Sequence, residues 1–305
     1  IIGKCYCTCT FHSVNVCGFF AFKPLGLYVI LAAGISNIVL DFLFIAVFRW
    51  GLAGAAIATS IGELIGGLVP ILYFSRPNTS RLKLIRTKLE WRPIWRSCSN
   101  GASEMMTNLS MSLVNTLYNL QLMRFTGEDG VAAYGVIMYV NFIFVAIYMG
   151  YSIGSAPIVG YHYGAKHQEE LRGLLRRSLW ILGIGAVLLT VAGELFSSLL
   201  SKIFVSYDDA LFAMTRHGFR LYSLSYLLCG FNIFGSAFFT ALNNGMVSAV
   251  ISFARTLVFQ IVCVLVLPIF LELNGIWISI LVAEFLGILV TASLLIANRK
   301  KYSYF

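Results

Sequence analysis

Residues 34–44 read GISNIVLDFLF, an apolar run holding one carboxamide, Asn37, and one carboxylate, Asp41. Four residues apart, the two share a helix face one turn from each other. What such a pair means depends on the solvent around the helix, and composition identifies that solvent. Of the 305 residues, 59% are hydrophobic and 11% charged. Soluble domains carry about a quarter charged residues, so this chain belongs in a bilayer.

Working outward, apolar windows of about 20 residues, the length that crosses the hydrocarbon core, recur along nearly the whole chain. Eight are expected: Leu25 to Phe48, Leu52 to Phe74, Cys98 to Phe125, Val131 to Pro157, Ser178 to Leu200, His217 to Leu242, Met246 to Phe270 and Ile276 to Ala297. The runs are continuously apolar with small residues throughout, not alternating every second position, so they predict packed helices rather than a barrel. The fold class is an all-α polytopic membrane protein. Its parts are an N-terminal segment (1–22), two helices (23–76), a basic linker (77–97), a six-helix bundle (98–298) and a tail (299–305).

Lys and Arg in short loops set orientation. The linker, the loop after the fourth window and the tail carry fourteen: Arg76, Arg81, Lys83, Arg86, Lys88, Arg92, Arg96, Lys166, Arg172, Arg176, Arg177, Arg299, Lys300 and Lys301. The opposite loops carry three, Arg49, Arg124 and Lys202, with Arg216 and Arg220 dissenting at the outer end of the sixth window. The basic loops and C-terminus are expected on the cytoplasmic side of the plasma membrane. The net charge of +9 is thereby a topological signal, and no nucleic-acid partner is expected.

A repeat is visible. GAAIATSIGELIG (Gly54 to Gly66) and GIWISILVAEFLG (Gly275 to Gly287) share Gly, Glu and Gly at an offset of 221 residues. Both follow an outer turn and run in the same direction, as in a parallel duplication. On that arithmetic residues 91–305 are one six-helix copy and two helices of an earlier copy precede it, so the chain reads as a fragment.

The first 22 residues hold Cys5, Cys7, Cys9 and His12. Their one-residue spacing is not that of the common zinc modules, and a ragged terminus competes with a metal site; no metal is expected. Cys98, Cys229 and Cys263 read as packing residues.

SNIVLDFLFI followed by RWGLAGAAIATSI resembles the fifth and sixth helices of multidrug and toxic compound extrusion transporters. GYSIGSAPIVGYHYGA (Gly150 to Ala165) resembles the end of their eighth, and GEDGVAAYGVIMYVNFIFV (Gly127 to Val145) the bacterial branch. The resemblance spans roughly Lys23 to Ala297. It implies twelve helices in two six-helix bundles around a central cavity, four N-terminal helices not represented here, and antiport of small organic cations against sodium or protons. It implies no cofactor besides that coupling ion, and a chain that is monomeric when complete.

Mirror depths about a turn centred on Trp50 pair Asp41 with Thr59 and Asn37 with Glu63. At 1.5 Å per residue the two layers lie about 6 Å apart, so the four side chains meet if their faces oppose. The family's amino-terminal cation site, with sodium possible, resembles Asn37, Asp41 and Thr59. Its first-helix carboxylate and fourth-helix Asn have no counterpart here. A carboxylate in hydrocarbon costs about 2.5–3.5 kcal/mol on insertion scales, so Asp41 is neutralised by a proton, a cation or a partner; a buried Asp hydrogen-bonded to Asn37 as helix glue is the plainer alternative.

Along the third window Asn100, Glu104, Asn108, Met111 or Ser112, Asn115 and Asn119 recur at helical spacing, a wet face that lines a cavity or forms a polar interface. Glu104 resembles the family's seventh-helix coupling acid, but the tenth-helix Asp that accompanies it is absent from RLYSLSYLLCGFNIFGSAFF. Arg255 and Glu284 are further intramembrane charges, and their depths about a turn near Asn274 differ by too much for a pair unless Arg255 reaches toward it. Tyr139, Asn141, Tyr148 and Met149 suggest an aromatic, Met-rich cavity wall or plain packing. Walker, HExxH and nucleophile-elbow motifs are missing, so an enzyme is not expected. A lipid-linked saccharide flippase of the same superfamily, or a non-transporting remnant, are the competing functions.

Overall fold

The computed structural model of the chain describes residues 25–76, 90–205 and 208–302. The cysteine-rich segment and most of the basic linker lie outside the described residues. Two units divide the chain, Ile1–Leu89 and Glu90–Phe305, and no strand occurs among the described residues.

In the first unit, α1 (Leu25–Asp41) passes into a π-helical turn, Phe42–Val47, and α2 (Gly51–Ser75) returns antiparallel. Two left-handed residues, Arg49 (φ 57°) and Gly51 (φ 56°), reverse the chain. Stacking of Phe44 on Trp50 (ring centroids 5.0 Å apart) closes the turn. The helices touch along a ridge of small residues on α2: a Cβ on Gly54 would meet that of Phe44 at 2.9 Å, and one on Gly62 would meet that of Asn37 at 3.1 Å. Ala58 between them is wholly buried. Close backbone approach over small residues replaces the hydrophobic drive that is absent in lipid.

The second unit is a bundle. Helix α3 (Trp91–Thr126) stops at Gly127 (φ 67°). Glu128 and Asp129 occupy the first turn of α4 (Glu128–Gly164), and Glu169 and Glu170 that of α5 (Gln168–Phe204), each where the helix dipole favours negative charge. Asp208 caps α6 (Asp209–Ser223), accepting from the backbone N–H of Ala210 (2.8 Å) and Leu211 (3.1 Å). A 49° bend separates α6 from α7 (Tyr226–Ala241). Asn243 (φ 57°) then turns the chain into α8 (Gly245–Phe253), whose π-helical continuation Ala254–Phe259 leads into α9 (Gln260–Tyr302). Helix α9 breaks at Glu272 (φ 49°, ψ −131°) and folds back, since a Cβ on Gly275 would touch the carbonyl oxygen of Leu267 at 2.5 Å.

Among the described residues five helical segments are long and apolar enough to cross a membrane, or six if α6 and α7 form one bent span. One of the five, Gly245–Arg299, contains the Glu272 break and supplies two limbs. The polar line on α3 keeps that 36-residue helix outside the count. Helix α3 also starts seven residues before the expected window, inside what was read as linker. Trp277, Tyr226, Phe219, Phe234, Phe238 and Phe239 fill the bundle centre. Gly218 and Gly230 let it close, since a Cβ would meet the Trp277 ring at 2.9 Å and the Tyr148 ring at 2.5 Å. Trp180, Leu195 and Phe270, each more than 70% exposed, face outward as lipid contacts.

Candidate functional site

In the first unit, Asn37 and Asp41 sit half-buried on α1. Asn37 Nδ2 and Asp41 Oδ1 are both shielded from solvent and have no hydrogen-bond partner among the described residues. Glue between the two side chains would have satisfied these atoms, so the plainer alternative does not account for them. Such groups cost about 1–3 kcal/mol each when left unpaired, and they mark a place for a proton, an ion or a polar ligand. Asp41 is also the last α-helical residue before the π-helical turn, a local widening that recurs at functional sites.

The other half of the expected pocket does not form within this unit. Ala33 and Asn37 oppose Gly62, and the same register puts Asp41 level with Ala58. Thr59 and Glu63 each follow a ridge residue and are rotated about 100° from it. Both are exposed, and the Thr59 hydroxyl donates to the carbonyl of Ala55 at 2.9 Å. The depth estimate was good to one residue; the assumption that these faces oppose was not. The small residues that allow close approach take the facing positions.

In the second unit the polar side chains of α3 that are described, Asn108, Ser112, Asn115 and Asn119, lie on its exposed or half-exposed face, opposite buried Ser110, Val114, Tyr118 and Gln121. The helical position of Glu104 is described, but its side chain, like that of Asn100, lies outside the described residues. Tyr139 and Met149 are exposed and Asn141 is half-buried. Tyr148 is not part of a wall with them: it is 2% exposed, packs on Gly230 and donates to the carbonyl of Tyr226 at 2.7 Å.

Arg255 and Glu284 do pair. Arg255 Nη1 donates to Glu284 Oε1 at 2.8 Å, and the two side chains are 14% and 3% exposed. Asn232 Nδ2 donates to Glu284 Oε2 (2.7 Å) and to the Glu284 carbonyl (2.9 Å), while Asn232 Oδ1 accepts from the Thr291 hydroxyl (2.9 Å). Glu284 is therefore buried inside the bundle instead of lining a cavity. The reach that the pair requires of Arg255 is shorter than the sequence spacing implies, because the turn is at Glu272, not Asn274. Gly275 faces Leu267 and Gly287 faces Arg255, so the carboxylate lies three residues, one helical turn, from the level of Arg255. An arginine spans that distance.

Glu194 on α5 accepts from Arg220 Nε (2.9 Å) and from the Ser223 hydroxyl (2.8 Å). That local partner accounts for the dissent of Arg220 from the loop-charge pattern. Among the described residues no group of three or more His, Cys, Asp or Glu could hold a metal ion.

A two-helix hairpin and a helical bundle, both long and apolar enough for a bilayer and both carrying buried polar groups, describe a polytopic membrane protein. The family model described as MatE matches residues 105–266, more than half of the chain, and the chain belongs to that family, the multidrug and toxic compound extrusion transporters. It is 24% identical over 268 residues to the multidrug export protein MepA of Staphylococcus saprophyticus, a match covering 83% of this chain and 56% of that protein. The fold is that of a MATE protein solved in complex with MaL6 (TM-score 0.81, 21% identity, 90% of this chain and 63% of that one). It is equally that of a MOP superfamily transporter from Pyrococcus furiosus (TM-score 0.82, 21% identity, 91% and 62%). The chain spans a little over half the length of the curated relatives it matches over most of its own length.

Proposed function

We propose that this protein exports small organic cations across the plasma membrane in exchange for sodium or protons, with Asp41 and Asn37 at the exchange site. The observation that carries the reading is the pair of buried, unpartnered polar atoms, Asp41 Oδ1 and Asn37 Nδ2. A carboxylate held away from water takes up a counter-charge. When that counter-charge is mobile, its release and uptake couple one solute to another. The carboxamide can turn its oxygen toward the same point and complete an oxygen-lined cation site. Thr59, exposed within this hairpin, joins such a site on the resemblance alone, and on the same resemblance Glu104 belongs to a second coupling site in the other unit. The multidrug names of the relatives favour drug-like molecules over lipid-linked saccharides. The fourteen cationic side chains of the linker, the fourth loop and the tail support a cytoplasmic C-terminus.

The test is dye efflux from proteoliposomes holding the protein expressed from its full reading frame, under an imposed sodium or proton gradient. Asp41→Asn removes the charge at almost constant shape. Loss of gradient-driven efflux with normal protein yield supports the assignment; efflux equal to wild type under both gradients refutes it.

A further inference from the structure

The guanidinium of Arg255 is only partly used by its own fold. It has five N–H donors, one of which goes to Glu284, and no other acceptor for it occurs among the described residues. Glu284, by contrast, is fully engaged: Oε1 by Arg255, Oε2 and the backbone carbonyl by Asn232. Asn232 is wholly buried and braced in turn by Thr291. Gly287 keeps the place open, because a Cβ there would lie 2.8 Å from Asn232 Nδ2 and 3.1 Å from Arg255 Cγ. The π-helical turn that begins at Ala254 sets the direction of Arg255. This is a scaffold that aims a guanidinium.

Two further observations define what it is aimed at. Arg255 is ten residues into the limb that starts at Gly245, about 15 Å along it and so near the middle of a hydrocarbon core about 30 Å thick. Lipid headgroups are out of reach at that depth. Its side chain nevertheless keeps 14% exposure, and charges within membrane bundles open onto interior cavities rather than lipid. Because Glu284 already balances the charge, the free donors suit an uncharged acceptor better than a second anion.

We propose that Arg255, held by Glu284, Asn232 and Thr291, is a substrate-binding residue of the second unit that donates to an uncharged acceptor oxygen, a carbonyl or ester, of the transported molecule. The inference rests on the transport reading and adds a chemical preference to it: among organic cations, those with an acceptor oxygen are held more tightly.

Equilibrium binding of two cationic dyes to the purified protein from the full reading frame tests this by fluorescence anisotropy. Rhodamine 6G carries an ester carbonyl; ethidium has no oxygen. Arg255→Gln shortens and neutralises the donor. Arg255→Lys keeps the charge opposite Glu284 and so the fold, but loses the planar fan of donors. In Arg255→Lys, and in Arg255→Gln if it folds, the Kd for rhodamine 6G should rise about tenfold, the value of a charge-assisted hydrogen bond, with that for ethidium unchanged. Equal weakening of both dyes, or no change in either, overturns the site and leaves the transport reading standing. Failure of the wild-type protein to bind either dye overturns both.

Discussion

Replacing Glu284 by Leu removes the only charge partner that Arg255 has among the described residues, and both side-chain hydrogen bonds to the carboxylate, at 2.7 and 2.8 Å. Breaking a buried ion pair from one side costs about 3–5 kcal/mol, because a charge is left in a poor solvent without its partner. Glu284 is 3% exposed and Arg255 14%, so the cost of stranding the guanidinium is expected at the lower end, near 3 kcal/mol, since it keeps some access to water. Arg255→Met strands a more deeply buried carboxylate, with Asn232 as its remaining donor, and should cost about 4 kcal/mol. The double variant, Arg255→Met with Glu284→Leu, leaves no unpaired charge and should cost less than either single change. At about 2–4 °C per kcal/mol for a unit of this size, each single variant should melt about 10 °C below wild type and the double within a few degrees of it. Thermal unfolding of the detergent-solubilised protein, followed by tryptophan fluorescence, reads the cycle. Additive losses in the double variant would refute the reasoning, because they would mean the two charges do not depend on one another.

Further outcomes follow from the same geometry. Cys introduced together at Ala33 and Gly66 should form a disulfide on treatment with copper phenanthroline and dissolved oxygen, which take up the two electrons, since the Cβ of Ala33 lies 3.8 Å from an ideal Cβ at Gly66, the mean separation in such bonds being about 3.8 Å; a gel-shift assay checks it. Gly62→Leu should splay that hairpin and abolish the cross-link, at a cost of about 1–3 kcal/mol from overpacking against Asn37 and Ala33. Tyr118→Phe removes the hydroxyl contact to Ser279 at 2.6 Å and should destabilise the bundle by about 1 kcal/mol, measured by the same melting assay. A Cys added after Tyr302 should be labelled by a membrane-impermeant maleimide only once cells are opened, which checks the cytoplasmic tail.

Much of the architecture is written in the residue pattern, because a bilayer asks for few things and asks for them plainly. The apolar windows fall on helices, and the Gly–Glu–Gly repeat turns out to mark close approaches: Gly54 against Phe44 of the π-helical turn, Gly66 against α1, Gly275 against the preceding limb, and Gly287 against Asn232 and Arg255. The burial of Asp41 and Asn37 also follows from their setting. What the pattern hides is angular and local. A π-helical turn adds a residue to one turn without altering composition, so periodicity counted through Phe42–Val47 or Ala254–Phe259 loses phase. The faces of Thr59 and Glu63 depended on which neighbours touch α1, and small residues win that contest by allowing backbones to approach. The Arg255–Glu284 pair turned on a two-residue shift of the turn, from Asn274 to Glu272, and a mirror argument doubles any such shift. Asn232, at the centre of that network, carries no sequence signal beyond being polar in an apolar run.

The 49° break between α6 and α7 separates two sets of ties. Its first half, α6, is moored through His217 to Asn274 and through Arg220 and Ser223 to Glu194. Its second half, α7, is moored through Asn232 to Glu284 and through Ser236 to Ser248 and Ser252. Both halves tie to the same returning limb of α9, at Asn274 and at Glu284, so the bent span is fastened to one common neighbour on either side of its joint at Leu224 and Ser225.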